Sequence, residues 1–154
     1  MTKYAEKTSV SVAKTKTDIE TMVTKYGADQ YICGSTCNRS MICFTLKGKQ
    51  IKFFIELPEK NSSEFLYTPE RKNRRNEEAA LAAWEQACRQ KWRALYLVIK
   101  AKLEAVESGI TCMEYEFMAN IVLPDGKTVG QHIVGKIEDA YNSGQMPSLL
   151  LNEE

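Results

Sequence analysis

The chain has 154 residues, 44% of them hydrophobic and 27% charged, with a formal net charge of +1. That is the size and balance of one soluble globular domain, and the net charge argues for neither a DNA mimic nor a histone-like binder. A chain of this length buries roughly two thirds of its unfolded surface, so folding requires neither a disulfide framework nor a structural metal.

Met1–Lys16 is rich in Lys, Thr and Ser and lacks a sustained apolar period, so residues 1–16 are expected to form a flexible N-terminal arm ahead of a single α+β domain over 17–154. Thr17 or Asp18 is the expected cap of a first helix, because Ile19, Met22, Val23 and Tyr26 follow at helical spacing and Gly27 supplies a stop. Three short runs, Gln30–Gly34, Arg39–Leu46 and Lys49–Leu57, then predict an antiparallel meander. Lys47-Gly48 between the last two is short enough for a tight hairpin. Glu59–Asn73 reads as a loop with Phe65, Leu66 and Tyr67 as its apolar anchors. A short helix is expected over Met113–Ala119, a turn at Leu123-Pro124-Asp125-Gly126, and a last helix over Val129–Asn142 with Ile133, Val134, Ile137 and Tyr141 on one side. The apolar run Met146–Leu151 is expected to tuck onto the body.

The strongest signal is a helix of about nine turns from Arg74 to Ser108, stopped by Gly109. Leu81, Trp84, Cys88, Trp92, Leu95, Ile99, Leu103 and Val106 form a large apolar stripe that should pack on the sheet. Ala80, Ala83, Ala87, Ala94, Val98, Ala101 and Ala105 form a second, small stripe, which predicts cover on two sides, from another element or from a second subunit in a homo-oligomer. The remaining face carries Arg89, Arg93 and Lys100, with Arg71, Lys72, Arg74 and Arg75 just ahead of the helix. Arg89 and Arg93 stand one turn apart, and cations presented along a rigid element are the chemistry that meets phosphate backbones. These seven residues are the expected nucleic-acid-binding site, with Tyr31, Phe44 or Phe54 available for stacking if one sheet face is open. Charge is also asymmetric along the chain. Arg71–Lys102 holds nine Lys or Arg against three Glu, while residues 103–154 hold two Lys against nine acids.

The segment Trp92–Ile110 resembles a stretch of uncharacterised small proteins of tailed-phage genomes, and Leu123–Gly130 with Met146–Leu150 is similar to the end of the same proteins. The resemblance implies a phage origin and a role inside the infected cell, and it carries no activity or site. The order helix, three strands, long helix is also similar in topology to double-stranded-RNA-binding domains and, in part, to single-strand-annealing recombination proteins.

Catalytic constellations are sparse. His132 is the single histidine, so no Ser-His-Asp arrangement and no histidine-rich zinc site is available. Cys33, Cys37 and Cys43 offer at most three thiolates, two of them within strand patterns. A metal-dependent nuclease is the least unlikely activity, on Glu56 and Lys60 at the end of the third strand, but the second strand holds no carboxylate. No glycine loop for phosphates is present. No apolar run reaches the length of a bilayer span. An odd count of five cysteines and the absence of a signal-peptide pattern point to reduced thiols in a cytoplasm. The expected protein is therefore a non-enzymatic accessory protein without catalytic residues, metal or cofactor. It would bind nucleic acid in replication or recombination; the alternative is a protein-interaction module that inhibits a host factor, for example one of anti-phage defence.

Overall fold

The computed structural model describes residues 5–70 and 72–148. It has the predicted α+β architecture: a helix, a three-stranded antiparallel sheet, a long helix laid across one sheet face, and a C-terminal helix.

Helix α1 spans Val12–Lys25 and is capped by the Ser11 hydroxyl, which accepts from the Lys14 N–H. It starts five residues before the expected cap, so residues 12–16 belong to the helix and not to an arm. The buried stripe explains why: Thr15, Ile19, Met22 and Val23 face the core, and Thr15 is a polar member that pattern reading passes over. Thr17 and Asp18 serve other ends, the first donating to the Ala13 carbonyl and the second pairing with cations.

Strands β1 (Gln30–Ser35), β2 (Arg39–Leu46) and β3 (Lys49–Glu56) pair in chain order. Lys47 and Gly48 both have positive φ, 50° and 75°, so the β2–β3 hairpin closes through the left-handed pair that suits strand twist. Register places Tyr31, Phe44 and Ile51 abreast, with Cys33, Ile42 and Phe53 beside them, on the helix-covered face. Ile32, Met41 and Phe54 point to the other side.

Helix α3 runs Glu77–Glu107, capped by the Asn76 side chain. Cys88, Trp92, Ile99 and Leu103 are buried, with Trp92 only 1% exposed, and the last three join Ile19, Val23, Ile42, Phe44, Ile51 and Phe53 in one core. Leu81 does not join them; it is 36% exposed. The small stripe is covered over half its length. Ala80 is buried, and Ala87 and Ala94 face Pro58 and Phe65 across a groove, whereas Val98 and Ala101 are exposed. Phe65, within the single turn α2 (Ser63–Leu66), is the anchor of the 59–73 loop. Tyr67, also expected to anchor, is exposed.

After Gly109 the chain makes α4 (Met113–Glu116) and a 3-10 turn over Met118–Asn120 in place of one continuous short helix. Buried Phe117 between them packs edge-on to Phe44 and Phe53. The Val122 N–H donates to the Gln50 carbonyl, tying this segment to the β3 edge. Helix α5 (Val129–Ser143) then departs from the body, and none of its residues is buried.

Candidate functional site

Of the seven cations singled out above, the six that are described do not form a free rail. Arg93 lies in the seam between α3 and α1, where its guanidinium donates to the Asp18 carboxylate at 3.1 Å and stacks on the Tyr96 ring. Arg75 donates to the carbonyls of Glu64 and Phe65 and so holds the 59–73 loop. Lys72 pairs with Glu70 at 3.1 Å. Arg89 grips the side-chain oxygen of Gln86 through two nitrogens. Lys100 is exposed beside a shallow groove that also holds Asp18, Tyr26, Tyr96 and Glu104. Arg74 is exposed, its backbone bridged to Tyr67. Arg71 lies outside the described residues. Periodicity placed Arg89 and Arg93 on one side of α3 correctly, but that side faces α1. Tyr31 and Phe44 are turned to the covered sheet face, and Phe54 on the open face lies under the Arg39 guanidinium at 4.1 Å. Of the three rings, Phe54 is the one on the open face, 37% exposed.

The thiols are scattered as well. Cys33 and Cys43 sit on opposite faces of the sheet, since Cys33 pairs with Ile42 and Ile32 with Cys43. They cannot share an ion. Among the described residues no group of three or more His, Cys, Asp or Glu could hold a metal. Burial pushes the Cys43 and Cys88 thiols up, which keeps them protonated and poorly nucleophilic at neutral pH. Glu56, the acid weighed for nuclease chemistry, pairs with Arg39 at 3.0 Å. His132 contacts Asp125 at 2.7 Å at the start of α5, where a backbone hydrogen bond from Lys127, and then His132 itself, hold the Asp125 carboxyl low. Among the described residues no helix is long and apolar enough to cross a membrane.

The unexplained surface is α5. Its first turn is built firmly: Thr128 and Gln131 form a reciprocal capping box, and Gly130 lies against the Ala119 backbone so closely that a Cβ there would stand 2.9 Å from the Ala119 carbonyl oxygen. Past that turn, among the described residues, one side of the helix is uncovered. Val134 is 66% exposed, Ile137 47% and Tyr141 86%, three apolar side chains at i, i+3 and i+7. Gly144 in the left-handed conformation ends the helix, and Lys136 donates to the Ser148 carbonyl so that the chain folds back beside it. Met146 on that return is 84% exposed. The apolar run Met146–Leu151 is described only as far as Ser148; its leucines lie outside the described residues. The i, i+3, i+7 spacing was visible in the sequence, but spacing alone reads as core. Three comparisons, with protein-family models, with curated proteins and with solved structures, each find no match to this chain.

Proposed function

We propose that this chain is a non-enzymatic protein-interaction module that presents α5 as its recognition helix. The observation that carries the proposal is the open face Val134–Ile137–Tyr141 on a helix with no buried residue. Monomeric proteins rarely leave such a stripe uncovered, and i, i+3, i+7 anchors are the pattern of an amphipathic helix entering an apolar groove. The capping box and the Gly130 contact hold the helix in its bound form beforehand, which reduces the ordering cost of association. Each anchor buried in a partner's groove contributes about 1.5–3 kcal/mol before those costs. The resemblance to tailed-phage proteins points to a host protein as the partner, inhibited or redirected by the contact.

Nucleic-acid binding through α3 is the weaker reading, because Arg93, Arg75 and Lys72 are engaged within the chain. One experiment separates the two. Affinity capture from the host cell is run with the wild type, with a Val134→Asp/Tyr141→Asp variant and with an Arg89→Gln/Lys100→Gln variant. A gel shift on DNA and RNA at two salt concentrations accompanies it. The proposal expects a stoichiometric protein partner lost with the α5 substitutions only, and no shift. A salt-sensitive shift abolished by the α3 substitutions, with capture unaffected by those in α5, would replace it with the nucleic-acid reading.

A further inference from the structure

A cleft of about 400 Å³ opens between the start of α1, the β1–β2 end of the sheet and the first half of α3. Its walls are apolar: Val12, Leu57, Trp84 and Trp92. Both tryptophans of the chain line it. Two cations stand at it, Lys16 with its ammonium 4.8 Å from the Trp92 ring centre, and Arg89. Among the described residues neither takes part in an ion pair. One carboxylate, Glu85, shares the cleft.

The cations are held in place by neutral groups. Gln86 donates to the carbonyls of Glu6 and Thr8, and its oxygen accepts from Arg89 Nε and Nη2, so the guanidinium is held by a neutral group and not by a carboxylate. Lys16 reaches the Ser35 hydroxyl, which in turn contacts the Ser40 hydroxyl 2.9 Å away. The neighbouring groove along the same seam is different, because Asp18 and Glu104 line it together with Lys25 and Lys100. Apolar aromatic walls with a few convergent polar groups are the anatomy of a small-molecule site, and fixed, unpaired cations select an anion.

We infer that this cleft binds a small aromatic organophosphate of the size of a nucleoside monophosphate, its ring against the half-buried Trp84 and its phosphate between Lys16 and Arg89. The inference is independent of the role of α5. It assigns a function to Trp84, whose indole N–H is fixed on the Pro58 carbonyl at 2.8 Å and which lies half-buried at the edge of the core.

The test is titration of the full chain with 5′-AMP and with 1-naphthyl phosphate, followed by tryptophan fluorescence and by the two indole N–H resonances. Both signals arise at this cleft, since the chain has two tryptophans and both line it. Saturable changes are expected with both phosphates. Adenosine, inorganic phosphate, and the Lys16→Met and Arg89→Met variants should each weaken binding by about tenfold or more, the effect of losing one charge-assisted contact. Circular dichroism checks that each variant folds, and Lys100→Met serves as a control that retains affinity. Failure of both phosphates to saturate the folded wild type overturns the inference. So does adenosine binding as well as 5′-AMP, or undiminished affinity in a folded Lys16→Met/Arg89→Met double variant.

Discussion

Arg93 and Asp18 meet across the seam between the long helix and the first helix at 3.1 Å, with their side chains 23% and 25% exposed. The pair is part of a chain, since Asp18 also accepts from Lys14 one turn earlier on α1. It joins elements 75 residues apart in sequence and takes the central guanidinium of α3 away from solvent.

This contact predicts a pH dependence. The hydrogen bond from Lys14 chiefly, with that from Arg93, outweighs the opposing effect of burial and holds the Asp18 carboxyl below its ordinary value of 3.8. Lowering a carboxyl in the folded state means that the unfolded chain binds more protons in the acid range. The stabilisation is therefore present above pH 3.8 and is lost as pH falls through the lower folded value. Urea midpoints measured across that window should fall for the wild type and fall less for Asp18→Asn. Arg93→Met should retain part of the slope, because Lys14 remains.

The two sides of the α3 stripe differ in what they support. Trp92→Ala removes a side chain with 1% exposure and should cost about 3–5 kcal/mol by denaturant unfolding. Leu81→Ala, at a position 36% exposed, should cost only about 1 kcal/mol. Equal losses at the two positions would contradict the packing described.

Two glycines of α5 should respond with opposite signs. Helix propensity favours Ala over Gly by roughly 1 kcal/mol. At Gly135 nothing lies within 4 Å of an added Cβ, so Gly135→Ala should raise the thermal midpoint. At Gly130 the Cβ would meet the Ala119 carbonyl oxygen at 2.9 Å, and a backbone atom cannot rotate away. Overpacking costs about 1–3 kcal/mol, which exceeds the propensity gain, so Gly130→Ala should lower the midpoint and speed hydrogen exchange in α5.

The β2–β3 hairpin offers a stabilising substitution. Lys47 occupies a left-handed conformation, φ 50°, which costs most side chains about 1–2 kcal/mol and asparagine less. Lys47→Asn creates the Asn-Gly pair favoured in such turns and should add roughly 0.5–1 kcal/mol, read as a higher thermal midpoint.

Some of this molecule was legible in the sequence because the signals are local. The Lys47-Gly48 turn, the stop at Gly109 and the burial of Cys88, Trp92, Ile99 and Leu103 depend on spacing and on single residues, and all stand in the fold. The start of α1 was missed where a polar residue, Thr15, carries a core position. The candidate site was less legible. That Arg89 and Arg93 share a side of α3 follows from the helical repeat, but whether that side meets water or α1 does not. The same holds for α5, whose stripe is as periodic as that of α3 yet lies uncovered, and for the cleft, whose Lys16, Leu57 and Arg89 come from three separate segments. Periodicity tells which residues share a face; only the packing of distant segments decides whether that face is core, an internal ion pair or open surface.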